Sequence, residues 1–297
     1  MIRLHVVWDR EVARRQLLDS LKADLEYFKR AEMPSEFERY RPSGVTVPLV
    51  YINGQGFNVH PTNAMNLATE ALEYRGNWSE FREIMEWMLS YAEERDGALF
   101  FNFYFQWEAP GIPWNSSLSQ GIAAGYYAIA YKKFGDPNFL RAARGFARSF
   151  LIPQENGGFV INTSYGLFFL EYSNAPDDLV LNGFMLSLKG LTVYSCLMDD
   201  NEINQLVMEG LKTLHEMLPD YDIGNWSLYS TKHGKADERY HRLHVRLLYF
   251  LGRWYHDDLL LEYAERWDSY LNNGSELSRA EQDYLFWRDL LRELRRG

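Results

Sequence analysis

The stretch LNGFMLSLKGLTVYSCLM (181–198), followed by NEINQLVMEGLKTLHEML (201–218), decides the fold. The first segment is apolar almost all round, the pattern of a helix buried on every side. The second is amphipathic, with Ile203, Leu206, Val207, Leu211, Leu214 and Leu218 on one helical face. A buried helix followed at once by a half-exposed one makes a hairpin with one arm inside and one outside.

The alternation repeats on both sides. Upstream, residues 63–74 place Ala64, Met65, Leu67, Ala68, Ala71 and Leu72 together, and residues 78–92 carry a stripe of Trp78, Phe81, Met85, Met88 and Ala92. Residues 116–131 are rich in Ala, Gly and Tyr. Asp136-Pro137 then reads as an N-cap with proline in the first turn. The helix it opens bears Phe139, Leu140, Ala143, Phe146, Ala147 and Phe150. Downstream, residues 240–254 are mostly apolar or aromatic, and residues 257–271 are amphipathic through Leu260, Tyr263, Ala264, Trp267 and Leu271. A last helix is expected to open at the capping box Ser278-x-x-Glu281. The pairs recur about every 50 to 65 residues, too loosely for a strict solenoid. The expected fold is mainly α: an incomplete α/α toroid, or α/α barrel, of about four helix hairpins. Loops at one end of its inner ring would line a cleft.

Two stretches break the helical pattern. Residues 46–59 (TVPLVYINGQGFNV) read as extended structure around a Gly-rich turn. Residues 157–172 read as a small β-hairpin near the cleft, with Glu171 and Tyr172 at the end of its second strand. Residues 10–31 form a charged amphipathic helix. The expected organisation is an N-terminal helix and extended segment (1–59) packed on a helical catalytic domain (60–297).

A net charge of −10 argues against a nucleic-acid partner, and an anionic ligand would need a local cationic patch. Aromatic residues make up 16% of the chain, which suits a cleft that stacks on sugar rings and equally a core of large side chains. The single cysteine, Cys196, excludes a disulfide within the chain and reads as a small buried hydrophobe. The opening MIRLHVVWDR has no signal-peptide core, and no apolar run approaches the ~20 residues of a membrane span. A soluble chain with no membrane partner is expected, cytoplasmic or of undetermined location. The aromatic-rich C-terminal helices offer a face for a homodimer.

The ionisable residues suggest proton transfer. Tyr172 follows Glu171. Tyr229 and Tyr240 bracket Lys232, His233, Lys235, Asp237, Glu238 and Arg239. Each segment also has a plain reading: Glu171 as an edge charge, residues 229–240 as a solvated loop. Asn182 opens the most apolar helix, where capping is the favoured role and ligand binding the other. Tyr240-His241-x-x-His244 puts two imidazoles on one helical face, but no HExxH pattern or third ligand accompanies them, so no metal is expected. No GxSxG elbow, Walker loop or Rossmann fingerprint is present, and no cofactor is expected. Paired-carboxylate glycoside hydrolysis stays open through Glu171, Asp177, Asp178, Asp222, Asp237 or Glu238.

At these segments the chain resembles the catalytic C-terminal domain of the D-glucuronyl C5-epimerase family, over roughly residues 60 to 272. The matching runs begin with Pro113-Trp114, Ser119-Gln120-Gly121, Glu171-Tyr172, Leu181-Asn182-Gly183-Phe184-Met185, Ser187-Leu188 and Gly190-Leu191. They continue with Leu211-Lys212, Met217-Leu218-Pro219, Tyr221-Asp222, Gly224, Tyr229, His233, Tyr240-His241-x-x-His244, Arg266-Trp267 and Ser269-Tyr270-Leu271. The resemblance implies an α/α barrel that converts D-glucuronate to L-iduronate within an anionic, heparosan-like polysaccharide. It places the catalytic tyrosines on Tyr172, Tyr229 and Tyr240 and the catalytic-site glutamate on Glu171. Asn182 and His233 match residues near the uronate pocket. Trp114, Gln120, Lys232, Arg239, His241 and Arg242 are further candidates for substrate contact. The chain departs from the family pattern in a shorter loop before Tyr240, in Arg239 where the family has an acid, and in Lys232 where it has arginine. The animal enzymes' N-terminal β-rich domains have no counterpart in these residues.

Epimerisation at C5 needs a base on one ring face and an acid on the other. The cations around Tyr229 and Tyr240 are expected to lower one phenol from its usual pKa of ~10, leaving Tyr172 as the acid. A polysaccharide lyase shares the first step, and a non-catalytic uronan-binding protein is the other alternative.

Overall fold

Among the described residues four helix hairpins follow one another, each a buried helix and then a half-exposed one. The computed structural model describes residues 10–30, 32–272 and 274–296. Residues 1–9 and Ala31 of the expected N-terminal segment, with Asn273 and Gly297, lie outside them. The described chain opens with α1 (Arg10–Tyr27), β1 (Arg39–Tyr40), β2 (Leu49–Ile52) and β3 (Gly56–Asn58). The first hairpin is α2 (Pro61–Thr69), continued by a π-helical turn (Glu70–Tyr74), and α3 (Trp78–Leu89). An antiparallel sheet of β4 (Ala92–Arg95), β5 (Ala98–Phe103) and β6 (Trp114–Asn115) precedes α4 (Ser117–Phe134) and α5 (Pro137–Arg148). Hairpin β7 (Val160–Thr163) and β8 (Gly166–Phe169) leads to α6 (Leu181–Met198) and α7 (Asn201–Tyr221). Hairpin β9 (Leu228–Ser230) and β10 (Gly234–Lys235) leads to α8 (Glu238–Tyr255) and α9 (Asp258–Asp268), and α10 (Leu277–Arg296) closes the sequence.

Helices α2, α4, α6 and α8 are successive neighbours and form the inner layer. Each is backed by its own hairpin partner, α3, α5, α7 or α9. The fold is an incomplete α/α toroid, and α10 packs on α8, α6 and α4. The tightest contact lies between α4 and α6. A Cβ on Gly190 would stand 2.1 Å from the Gly121 carbonyl oxygen, so bare backbone meets bare backbone there. Gly121 meets Ser187 and Gly125 meets Gly190, so the two helices run parallel and start at the same end. Phe184, Leu188 and Leu191 on α6 are fully buried, each contributing about 1.5–3 kcal/mol by leaving water. The inner helices and α10 line an open cavity of about 350 Å³ whose walls include Glu73, Lys189, Arg239 and Arg246.

Local chemistry sets the helix starts. Asp136, Asp200, Asp237 and Asp257 each accept a backbone hydrogen bond as N-caps. The capping box expected at Ser278 does not form, because α10 begins one residue earlier. Glu276 N donates to Asp268 Oδ1 at 2.6 Å instead, and Glu281 accepts from the Tyr249 hydroxyl. The helix expected over 78–92 stops at Leu89, since Ala92 pairs with Phe101 in the sheet. Helix α1 ends at Tyr27, short of the expected 31, and packs on β3, where Asp24 Oδ1 accepts from Phe57 N at 2.9 Å. Among the described residues no helix is long and apolar enough to cross a membrane.

Candidate active site

The chain leaving β8 is pinned to the start of α4, for Ser117 N donates to Leu170 O at 3.0 Å. The next residue, Glu171, is turned inward and is only 8% exposed. It fits because Gly183 carries no side chain: a Cβ there would stand 2.2 Å from Glu171 Oε2. Asn182 Nδ2 donates to the same oxygen at 3.2 Å. The N-cap of α6 is Val180, without a side-chain bond, so Asn182 does not cap the helix. It holds the carboxylate.

Three tyrosines from three separate elements converge beside Glu171. Tyr172 Oη lies 3.4 Å from Tyr229 Oη. The Tyr229 and Tyr240 rings meet edge to face, with centroids 4.8 Å apart. Tyr229 sits on β9, whose Ser230 bridges to Val180. Tyr240 sits in the first turn of α8, where its N–H donates to Asp237 Oδ1 at 2.8 Å. The inner helices α4, α6 and α8 all start at this end, so their positive dipole ends gather near the tyrosines.

The charge balance differs from the sequence expectation. None of the three clustered phenols is depressed. Burial pushes Tyr172, Tyr229 and Tyr240 above the usual phenol value, and the Glu171 charge adds to the rise in each. Arg239 stacks its guanidinium 5.7 Å from the Tyr240 ring centroid and opposes the rise there without overcoming it. Burial, with help from the Asp178 and Glu108 charges, lifts Glu171 to about 7, against hydrogen bonding from Tyr172 and Asn182. The group poised near neutrality is the carboxyl.

Several sequence candidates are occupied elsewhere. Lys232 Nζ is turned outward to Asp177 at 2.7 Å. Arg242 pairs with Glu238 and Glu276. Fully buried His241 receives Ser227 N–H on Nδ1, so its Nε2–H donates to Trp267 O at 2.9 Å. The Ser227 hydroxyl also meets His244 Nδ1 at 2.8 Å, and burial lowers His244 to about 3. The two imidazoles are thus a neutral, buried hydrogen-bonded unit behind Tyr240. Gln120 is buried in α4, with Nε2 donating to Phe101 O at 3.3 Å. Trp114 has one face stacked on Phe103 at 4.0 Å, while Tyr172 packs edge-on at 5.7 Å, so it supports the cluster from below. His233 stays near, with its ring 6.0 Å from that of Tyr229, and bonds Glu108 at 3.0 Å. Of the carboxylates considered for hydrolysis, Asp237 is a cap, Glu238 and Asp177 are ion-paired, and Asp222 accepts from Tyr270. Glu108 had no signal in the sequence. It lies in an irregular loop that only the folded chain brings to His233.

Fold and site together define a mainly α protein of helix hairpins in which buried Glu171 and three tyrosines meet at the starts of the inner helices. The family model described as D-glucuronyl C5-epimerase C-terminus matches residues 68–269, and the chain belongs to that family. A D-glucuronyl C5-epimerase of Caenorhabditis elegans is 31% identical over 176 residues, which cover 53% of this chain and 29% of that protein. An uncharacterized protein of Methanocaldococcus jannaschii is 28% identical over 172 residues, 56% of each chain. The match therefore spans about a third to a half of the length of these relatives. Among solved structures, the endo-β-1,4-glucanase of Acetobacter xylinum has a TM-score of 0.48 at 15% identity, covering 94% of this chain and 98% of its own. A polysaccharide lyase has a TM-score of 0.46 at 13% identity, covering 88% and 80%.

Proposed function

We propose that the chain inverts C5 of D-glucuronate units, giving L-iduronate, in an anionic heparosan-like polysaccharide. The observation that carries this reading is the meeting of Tyr172, Tyr229 and Tyr240 with a buried Glu171 at the starts of the inner helices. Membership of the C5-epimerase family supports it.

The C5–H bond lies next to a carboxylate, which makes the carbon a very weak acid. Glu171, with a pKa of about 7, exists in both protonation states near neutrality, the condition that favours a general base. It takes the C5 proton, and the electron pair moves into the uronate carboxylate. Un-ionised phenols donate hydrogen bonds to the oxygens on which this charge develops. A tyrosine on the other ring face then returns a proton to C5, and the configuration is inverted. The resulting tyrosinate and protonated Glu171 re-equilibrate with solvent. High phenol pKa values suit donation, so the tyrosines serve here as acids.

Incubation with a glucuronate-containing polymer in D2O, followed by NMR, tests the reading. Deuterium at C5 together with iduronate signals is expected. An ultraviolet-absorbing unsaturated uronate would instead identify a lyase. Tight binding with no C5 exchange would identify a uronan-binding protein.

A further inference from the structure

Beside the tyrosines, three side chains from separate loops converge on one point. His233 Nε2 lies 3.0 Å from Glu108 Oε2 and 3.3 Å from Asp178 Oδ2. One donor atom from each of the three falls within 4.8 Å of the others. The backbone fixes each of them. His233 N donates to Ser230 Oγ at 2.9 Å, and Asp178 N donates to Ala175 O at 3.0 Å. Asn174 Nδ2 bridges the carbonyls of Trp107 and Ala109, on either side of Glu108, at 2.9 and 2.8 Å. The donors are in place before a ligand arrives.

Asp178 is the informative member. Its side chain is 1% exposed, yet neither of its oxygens accepts a hydrogen bond. A carboxylate buried in that way carries a large desolvation cost. One imidazole N–H does not serve two carboxylates, and Glu108 receives it. The adjacent ammonium of Lys232 faces Asp177 instead. Two carboxylates thus share one imidazole, with Glu171 close enough to feel both charges. An anionic sugar entering here meets negative charge, which a cation in the cluster would reverse.

The spacing suits a metal ion. Donors about 2.1 Å from a divalent ion stand about 3.0 Å apart at a right angle and about 3.4 Å apart at the tetrahedral angle. The separations of His233 Nε2 from Glu108 and Asp178, 3.0 and 3.3 Å, fall in that interval, and the two carboxylate oxygens lie within 4.8 Å of each other. One imidazole with two carboxylates favours a borderline first-row ion over calcium or magnesium, which prefer oxygen alone. The side chains of Glu108 and His233 are 21% and 44% exposed, so the cluster opens outward beside Tyr229.

We infer that Glu108, Asp178 and His233 bind one first-row divalent metal ion of the manganese or zinc type, whose open positions take the uronate carboxylate. The carboxylate role rests on the epimerase reading above. The metal site does not.

The full chain, stripped with a chelator, is titrated with MnCl2 alone and followed by the electron paramagnetic resonance of free Mn2+. A parallel titration with ZnCl2 is followed by calorimetry. One equivalent of at least one ion is expected to bind, with CaCl2 and MgCl2 at least about tenfold weaker. Binding is expected to weaken at least about tenfold in each of Glu108→Gln, Asp178→Asn and His233→Ala. Glu108 and His233 are partly exposed, so these two variants test the site even where Asp178→Asn fails to fold. Absence of stoichiometric Mn2+ or Zn2+ binding in the wild type overturns the site, as does wild-type affinity in Glu108→Gln and His233→Ala. A glucuronate oligosaccharide added to the Mn2+-loaded protein is expected to lower the water-proton relaxation rate, as its carboxylate displaces bound water. Unchanged relaxation in a protein that still exchanges C5 hydrogen overturns the carboxylate role and leaves the epimerase reading standing. Stoichiometric Mn2+ with no C5 exchange supports the site and counts against the epimerase reading.

Discussion

Glu171→Gln separates burial from catalysis at the buried carboxyl beside the tyrosines. An ordinary glutamate titrates near 4.5, and burial lifts this one to about 7. Each unit corresponds to about 1.36 kcal/mol, so a lift of roughly two and a half units amounts to about 3 kcal/mol. Below pH 4.5 the carboxyl is neutral in the folded and unfolded chain alike, and the shift costs nothing. Above that pH the unfolded chain ionises first, and folding stability falls until the pH passes about 7. Glutamine carries no charge and keeps an oxygen for Asn182 Nδ2. Near pH 4 the variant is expected to melt with the wild type. At pH 8 it should be more stable by about 3 kcal/mol, roughly 5–10 °C in Tm for a chain of this size. Its C5 exchange should fall at least about a hundredfold, while wild-type kcat/KM rises as the pH passes through about 7. Thermal melts at the two pH values and an exchange assay supply the readouts. An equal stability change at both values, or a loss at pH 8, would refute burial as the source of the shift.

Three further substitutions probe the supports of the site. Gly183→Ala sets a methyl group 2.2 Å from Glu171 Oε2. It should displace the carboxylate, slow exchange sharply and cost about 1–3 kcal/mol in urea melts. Gly190→Ala drives a methyl into the Gly121 carbonyl at 2.1 Å, where only backbone can yield. A loss of about 3 kcal/mol or more in the urea midpoint is expected, because α4 and α6 must part. Ser227→Ala removes the hydroxyl shared by His241 and His244; His241 Nδ1 keeps the Ser227 N–H, but buried His244 Nδ1 is left unpaired. Stability should drop by about 1–3 kcal/mol, with calorimetry as the readout.

The helix hairpins were legible because a helix buried on all sides must be apolar on all sides. Residues 181–198 meet that condition, and the glycines of α4 and α6 mark the backbone crossing. The sheet β4–β6 was not legible: Ala92-Glu93-Glu94-Arg95 shows no alternation, and Ala92 happens to extend the stripe of α3. Asn182 looked like a cap by position, but its side chain reaches an acid that only the fold brings near. The three tyrosines and Glu171 could be named from ordered motifs. The sign of their pKa shifts could not. It depends on burial and on which carboxylate each cation finds, and Lys232 finds Asp177 rather than a phenol. Glu108 and Asp178 join His233 from loops with no pattern of their own.

Washout of deuterium from C5-deuterated glucuronate polymer in ordinary water, in the wild type and in Tyr172→Phe, Tyr229→Phe and Tyr240→Phe, bears most directly on whether this cluster moves the C5 proton. Each variant loses one hydroxyl from a packed ring and should keep its thermal melt. Washout in the wild type, and a fall of at least about a hundredfold in Tyr229→Phe or Tyr240→Phe, is the expected result. Wild-type washout in all three folded variants would place the chemistry somewhere other than these phenols.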